Sequence, residues 1–319
     1  MAKVKILFIG DIVGKAGRCA IEKLVPALLN ADRIDACIVN GENAAGGKGI
    51  TQKISKQLFS YGVDIITSGN HIWSNKDILS VLDTDGKILR PANYPDGVKG
   101  IGSTTFISKK GYTIGIINLM GRIFMSPLDC PFKVAEREIK KLKKKTNLNI
   151  IDFHAEATSE KMALGRYLDG KVTAVIGTHT HVQTADEKIF PRGTAYITDA
   201  GMTGPQDSII GAKKDSVFQH FLTQVPVKIE AASDDIQLNG VIIEADYDKG
   251  VLLVNGKVVK EVKNPEILRP VCIRRNTVNL NPFKIVGRKY GLGWQYTVDG
   301  KNSKDIVLFL KDEFVLVDK

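Results

Sequence analysis

Four of the five histidines in the chain stand directly after short apolar runs. His71 ends residues 63–71 (VDIITSGNH), His154 ends 149–154 (NIIDFH), and His179 and His181 end 172–181 (VTAVIGTHTH). Two apolar runs nearer the N-terminus end in acids and an amide instead. Asp11 closes residues 4–11 (VKILFIGD), and Glu42 and Asn43 close 35–43 (DACIVNGEN). Runs of this length and composition read as buried strands. In an open parallel α/β sheet the C-terminal strand ends share one edge, and ligands bind there. The expectation is a single polar cluster at that edge.

Asp11, Glu42, Asn43, Asn70, His154, His179 and His181 together supply carboxylates, imidazoles and amide oxygens, more donors than one ion needs. A mixed oxygen and nitrogen set without thiolate suits Mn, Fe or Zn. Two ions about 3.5–4 Å apart, bridged by one carboxylate, form the clamp used on phosphate esters, with a bridging hydroxide attacking phosphorus. The spacing of His179 and His181 fits this: two residues apart, they reach neighbouring ions from an extended or looped segment but diverge on a helix. His220 lies in the expected helix 215–222 and has no such setting, so it receives no role.

Strand and helix signals alternate from residue 1 to about 200. Helices are expected at 16–30, at 50–61 with Thr51 as N-cap, at 76–82, at 131–145 and at 159–168. Strands are expected at 113–120 and 194–198. Gly10, Gly14 and Gly17 do not form a dinucleotide fingerprint, and Asp11 would repel a pyrophosphate; they read as a tight turn from strand to helix. After about 225 the pattern changes to β alternation over 225–231, 238–245 and 251–262. The fold class expected is α/β, βαβ-rich sheets flanked by helices, with residues 1–262 as the main domain and 263–319 as a small β-rich C-terminal extension.

The chain has 319 residues, 43% of them hydrophobic, enough for a sizeable core. No run is long enough for a membrane span, and the first apolar stretch ends in Asp11, so it reads as a strand and not a signal peptide. The four cysteines lack C-x-x-C spacing, which excludes a zinc knuckle and fits a cytoplasmic, reducing compartment. Net charge is +10, which suits anionic partners. Residues 251–319 carry 13 Lys/Arg against 7 Asp/Glu. The lysine run Lys140, Lys141, Lys143, Lys144 and Lys145 reads as a solvated helix end in preference to a nucleic-acid patch, because no aromatic residues interleave.

Gly69-Asn70-His71 and Gly177-Thr178-His179-Thr180-His181 resemble the G-N-H and G-H-x-H blocks of calcineurin-type metallophosphoesterases. Two departures stand out: Asp11-Ile12-Val13 lacks the histidine of D-x-H, and Gly41-Glu42-Asn43 replaces G-D-x-x-D. Both match the YmdB-type branch of bacterial phosphodiesterases. The likeness extends through Asn40–Ala45, residues 152–161, 177–186 and 193–205, and covers roughly residues 1–245. The resemblance implies a calcineurin-like metallophosphoesterase sandwich. It implies that Asp11, Glu42, Asn43 and His181 hold a first metal, that Glu42 bridges, and that Asn70, His154 and His179 hold a second. His71 is then the general acid over the leaving oxygen. Fe or Mn is implied first, Zn next. Asp152 and Thr180 are candidates for supporting the ligands.

The activity so implied is hydrolysis of cyclic nucleotides, 2′,3′-cyclic nucleoside monophosphates above all. Two other readings are weighed against it. One is a phosphomonoesterase or protein phosphatase. The other is an RNA-binding regulatory protein with a structural metal site, prompted by Tyr290, Trp294 and Tyr296 in the basic C-terminal part; a hairpin packing its aromatics is preferred there. A homo-oligomer is compatible with the sequence, and no membrane partner is expected.

Overall fold

A computed structural model describes residues 3–31 and 33–247, and gives strand backbone alone at 251–254, 257–258, 273–279, 288–290 and 293–297. Two mixed sheets make its centre. In the first, Ile236–Asp246 runs antiparallel to Lys3–Ile9, which is followed in parallel by Ala36–Asn40 and Ile65–Thr67. The second has six strands in the order Ser103–Ile107, Thr113–Met120, Asn149–His154, Ala174–Thr178, Ala195–Ile197, Lys188–Ile189. Its four central strands are parallel and its two edges antiparallel.

The layering follows from the two-residue period of strands. Val4, Ile6 and Phe8 join Ala36, Ile38, Ile114, Ile116, Ile150, Ala174 and Ile176 in one core between the sheets. Leu7, Ile9, Cys37 and Val39, on the opposite face, pack with Ile21, Leu24 and Leu28 of the helix Gly14–Ala31 and Leu58 of Gln52–Ser60. Ile117, Leu119, Ile151 and Phe153 pack with Val134 and Ile139 of Pro131–Leu142 and Leu164 of Thr158–Tyr167. The strands are buried on both faces, so they read as unbroken apolar runs. Fully burying one such Ile or Phe contributes roughly 1.5–3 kcal/mol.

The expected single sheet edge is corrected by this arrangement. Asp11, Glu42 and Asn70 lie on or after strands of the first sheet, while His154 ends a strand of the second and His179 and His181 follow another. The cluster forms where the C-terminal edges of two sheets meet. His71 is also not at a strand end: the strand stops at Thr67, and Asn70–Trp73 is a 3-10 turn. Helix starts are close to expectation. Thr51 caps its helix by accepting from the Ile54 amide at 3.3 Å, and Gly14, at φ +57°, makes the turn into Gly14–Ala31. The run 225–231 alternates but forms no strand, and Val225 and Ile229 are exposed. The boundary expected at 262/263 lies outside the described residues. So does most of the C-terminal extension, although Ile273–Asn279 pairs antiparallel with Ile236–Asp246.

Candidate metal centre

Bonds between the two sheets lock the cluster together. The buried Asp152 carboxylate, on the second sheet, accepts from Asn40 Nδ2 at 2.9 Å and Thr67 Oγ1 at 2.5 Å, both on the first. Asn118 Oδ1 accepts from the Ser68 amide at 3.0 Å, and Asp11 Oδ2 accepts from the His179 amide at 3.0 Å. Asn40 Oδ1 in turn accepts from the Glu42 amide at 3.1 Å, which aims the loop carrying Glu42 and Asn43.

Glu42 is the hub. It is fully buried, and its Oε1 lies 3.0 Å from His154 Nε2, 3.4 Å from His71 Nδ1 and 3.3 Å from Asn43 Nδ2. His179 Nδ1 is 3.0 Å from His154 Nε2, so Glu42, His154 and His179 converge ligand atoms on one point. Across the hub, Asn43 Nδ2 donates to His181 Nε2 at 3.0 Å, and Asp11 Oδ1 faces His181 Nε2 at 4.0 Å. Gly69 permits this density. A Cβ there would overlap both the His154 ring and Glu42 Oε2.

The imidazoles are fixed by what their outer nitrogens touch. The Thr178 hydroxyl donates to Asp152 Oδ1 at 2.8 Å, so at 2.9 Å it accepts from His154 Nδ1, leaving Nε2 to face Glu42. His181 Nδ1 donates to the Ile210 carbonyl at 2.8 Å, leaving Nε2 inward. Glu156 Oε2 lies 3.1 Å from His179 Nε2, leaving Nδ1 inward. His179 and His181 hold φ of +100° and +66°, a left-handed backbone rare outside glycine that clusters at functional sites.

Charge in this pocket is strongly perturbed. Burial works to raise the Glu42 carboxyl, but the charges and hydrogen bonds of His154 and His71 overcome it and hold the group well below the usual range. Burial likewise opposes a charged His154, yet Glu42, Asp11 and Asp152 lift its ring to about 9. Burial and the neighbouring His154 push His179 down to about 3. Burial raises Asp11, against the pull of His181 and His154, and pushes Asp152 up to about 6.

Whether this donor set fits metal ions is answered by two orphaned atoms. Asp11 Oδ1 and Asn70 Oδ1 are buried with no hydrogen-bond partner. Such atoms are costly unless something pairs with them. Both belong to residues expected as ligands; Asp11 Oδ1 faces His181 Nε2, and Asn70 lies in the chain between Gly69 and His71, whose backbones both come up against Glu42. The set offers mixed oxygen and nitrogen donors suited to holding metal, with Glu42, His154 and His179 converging on one point.

Of the candidate site residues, Asp11, Glu42, Asn43, His71, His154, His179 and His181 are thus joined by contacts here, Asn70 is the chain neighbour of His71, and His220 lies apart, its Nδ1 bonding the Val225 carbonyl. Sequence reasoning missed Glu156, Thr178, Asn40, Lys161 and Asp199. Glu156, two residues past His154, lay within reach of inspection. The others are contacts between distant positions with no local pattern.

A family model described as YmdB-like protein matches residues 7–254. A Bacillus subtilis (strain 168) protein named 2′,3′-cyclic-nucleotide 2′-phosphodiesterase is 49% identical over 243 residues, 76% of this chain and 92% of that one. The solved structure of a protein described as a novel phosphatase, from Mycoplasma pneumoniae, is 40% identical, with a TM-score of 0.74 over 80% of this chain and 92% of that one. A hypothetical protein from Thermus thermophilus is 37% identical, with a TM-score of 0.75 over 86% of this chain and 99% of that one.

Proposed function

The chain belongs to the YmdB-like family, and on that premise we propose that it is a dinuclear metal-dependent phosphodiesterase acting on 2′,3′-cyclic nucleoside monophosphates. The observation that carries the reading is the pair of orphaned buried oxygens, Asp11 Oδ1 and Asn70 Oδ1, on residues expected to share the ligand set with the buried Glu42 carboxylate. The Bacillus relative's name supplies the substrate class. The α/β sandwich is of calcineurin-like type, with residues 1–262 as the catalytic unit and a β-rich extension after it.

Asp11, Glu42, Asn43 and His181 would hold one ion, and Glu42, Asn70, His154 and His179 the other, Fe or Mn before Zn on the hardness of the oxygen-rich set. When bound, two such ions polarise the phosphoryl oxygens and lower the pKa of water at the site. The protein's own groups do the rest. Glu42 stays ionised at the centre, and Thr178, Ile210 and Glu156 keep three imidazoles turned inward. His71, partly exposed beside Glu42, is the general acid for the departing ribose oxygen. Asn43 links the two jobs. Its Oδ1 accepts from His71 Nδ1 at 2.8 Å. The acid form of His71 carries a proton on both ring nitrogens, so it pairs Nδ1–H with Asn43 Oδ1 and gives up the proton of Nε2, the nitrogen turned away from Asn43.

No described helix is long and apolar enough to cross a membrane. Cys19, Cys37 and Cys130 are free thiols, which supports a cytoplasmic setting. The test compares adenosine 2′,3′-cyclic phosphate and bis-p-nitrophenyl phosphate with p-nitrophenyl phosphate. Diester turnover is expected to dominate. A preference for the monoester would replace this reading with a phosphomonoesterase.

A further inference from the structure

The segment carrying His179 and His181 is held in a backbone that non-glycine residues keep only where their surroundings over-determine it. Thr180, between them, shows what does so. Its amide and its hydroxyl both donate to Asp199 Oδ2, at 3.0 and 2.7 Å. The same oxygen receives Lys161 Nζ at 2.7 Å, while Asp199 Oδ1 accepts from the Gly201 amide at 2.8 Å. Lys161 and Asp199 are 1% and 0% exposed. The lysine comes from the helix Thr158–Tyr167, and its stem passes so close to Gly177 that a Cβ there would lie 3.1 Å from Lys161 Cδ.

A buried ion pair is a poor device for stability, because desolvation consumes most of its attraction and an apolar pair of equal volume does as well. An apolar pair could not accept the Thr180 and Gly201 donors. A carboxylate can take all of them through two oxygens, and the lysine puts the opposite charge against it in a dry setting. We propose that the buried Lys161–Asp199 pair is a positioning device for metal capture: it fixes Thr180 and so aims His179 and His181 at the two ions. Neither residue touches metal or substrate. The inference rests on the metal centre proposed above.

The test uses the full chain, stripped with a chelator, and measures Mn²⁺ affinity by calorimetry beside thermal stability. Lys161→Met and Asp199→Asn are expected to weaken Mn²⁺ binding about 10–100-fold, the usual effect of removing a group that orients a ligand. Thr180→Val, which deletes one hydroxyl on a half-exposed residue and leaves the pair intact, is expected to weaken it several-fold. The double variant Lys161→Met/Asp199→Asn removes both charges; it should recover thermal stability relative to either single variant but not Mn²⁺ affinity. Variants that melt earlier yet bind Mn²⁺ like the parent would reduce the pair to a structural role and overturn the proposal. Should Lys161→Met fail to fold, Thr180→Val decides, and unchanged affinity there overturns it equally. A parent chain that binds no Mn²⁺ defeats the metal-centre reading and this inference together, whereas binding by the parent with no change in any variant defeats the inference alone.

Discussion

Replacing Gly69 with alanine puts one methyl group against two of the residues that define the centre. The added carbon would overlap the His154 ring and Glu42 Oε2, neither of which is the free end of a mobile chain. His154 is pinned by Thr178 and Glu42, and Glu42 by the amide of His71 at 3.2 Å as well as by its imidazole partners. Both groups are completely buried, so neither can swing into solvent. They must retreat by about 1 Å, and a misplacement of that size costs roughly a hundredfold in rate. The overpacking itself costs about 1–3 kcal/mol of stability. The assay is diester hydrolysis by purified Gly69→Ala, with metal per chain by elemental analysis and circular dichroism to show that the fold persists. Turnover about a hundredfold down, with metal partly lost, is expected. Parental metal content and parental turnover together would refute the claim that Glu42 and His154 are ligands fixed in place.

Other perturbations separate the parts. His71→Ala should keep its metal and lose about 10²–10⁴ in diester turnover, the span of general acid catalysis; retained turnover removes His71 from that role. Thr178→Val leaves Asp152 and His154 Nδ1 short of a shared partner, and unsatisfied buried groups cost about 1–3 kcal/mol each, to be read as a lower Tm. Asp186 sits below the usual carboxylate range: burial raises it, but the Thr198 and Thr184 hydroxyls, the Thr198 amide and Lys188 outweigh that. Its stabilising effect is therefore complete above the unfolded value, about pH 4, and is lost as pH falls through the lower folded value. Asp186→Asn should be less stable than the parent at neutral pH, and the two should converge in acid; denaturant melts across that range check it.

The proposed ligand residues are legible because they close apolar runs, and a strand buried on both faces announces itself by unbroken hydrophobicity. That same property hid the partition into two sheets. A run such as 149–154 says that a strand is covered on both sides, but not whether a second sheet or a helix does the covering. The exposure of Val225 and Ile229 shows the converse failure, where alternation yields only an isolated bridge from Ala231 to Ala212 and no strand. The left-handed φ of His179 and His181 has no signature in those residue types; its cause lies at Asp199, about twenty positions on, and at Lys161 on another element. Thr178 illustrates the limit most simply. Nothing in its position beside the two histidines marks it out, yet its hydroxyl fixes the His154 tautomer.

Two ions at the Glu42 hub are the centre of the account, and metal content bears on them most directly. The full chain, purified without added metal, is to be assayed for elements and for cleavage of adenosine 2′,3′-cyclic phosphate, then again after chelation and after return of Mn²⁺ or Fe²⁺. Two equivalents per chain are expected, with activity lost on stripping and regained on return. Undiminished cleavage by the stripped chain, or a chain that takes up no metal, would contradict it.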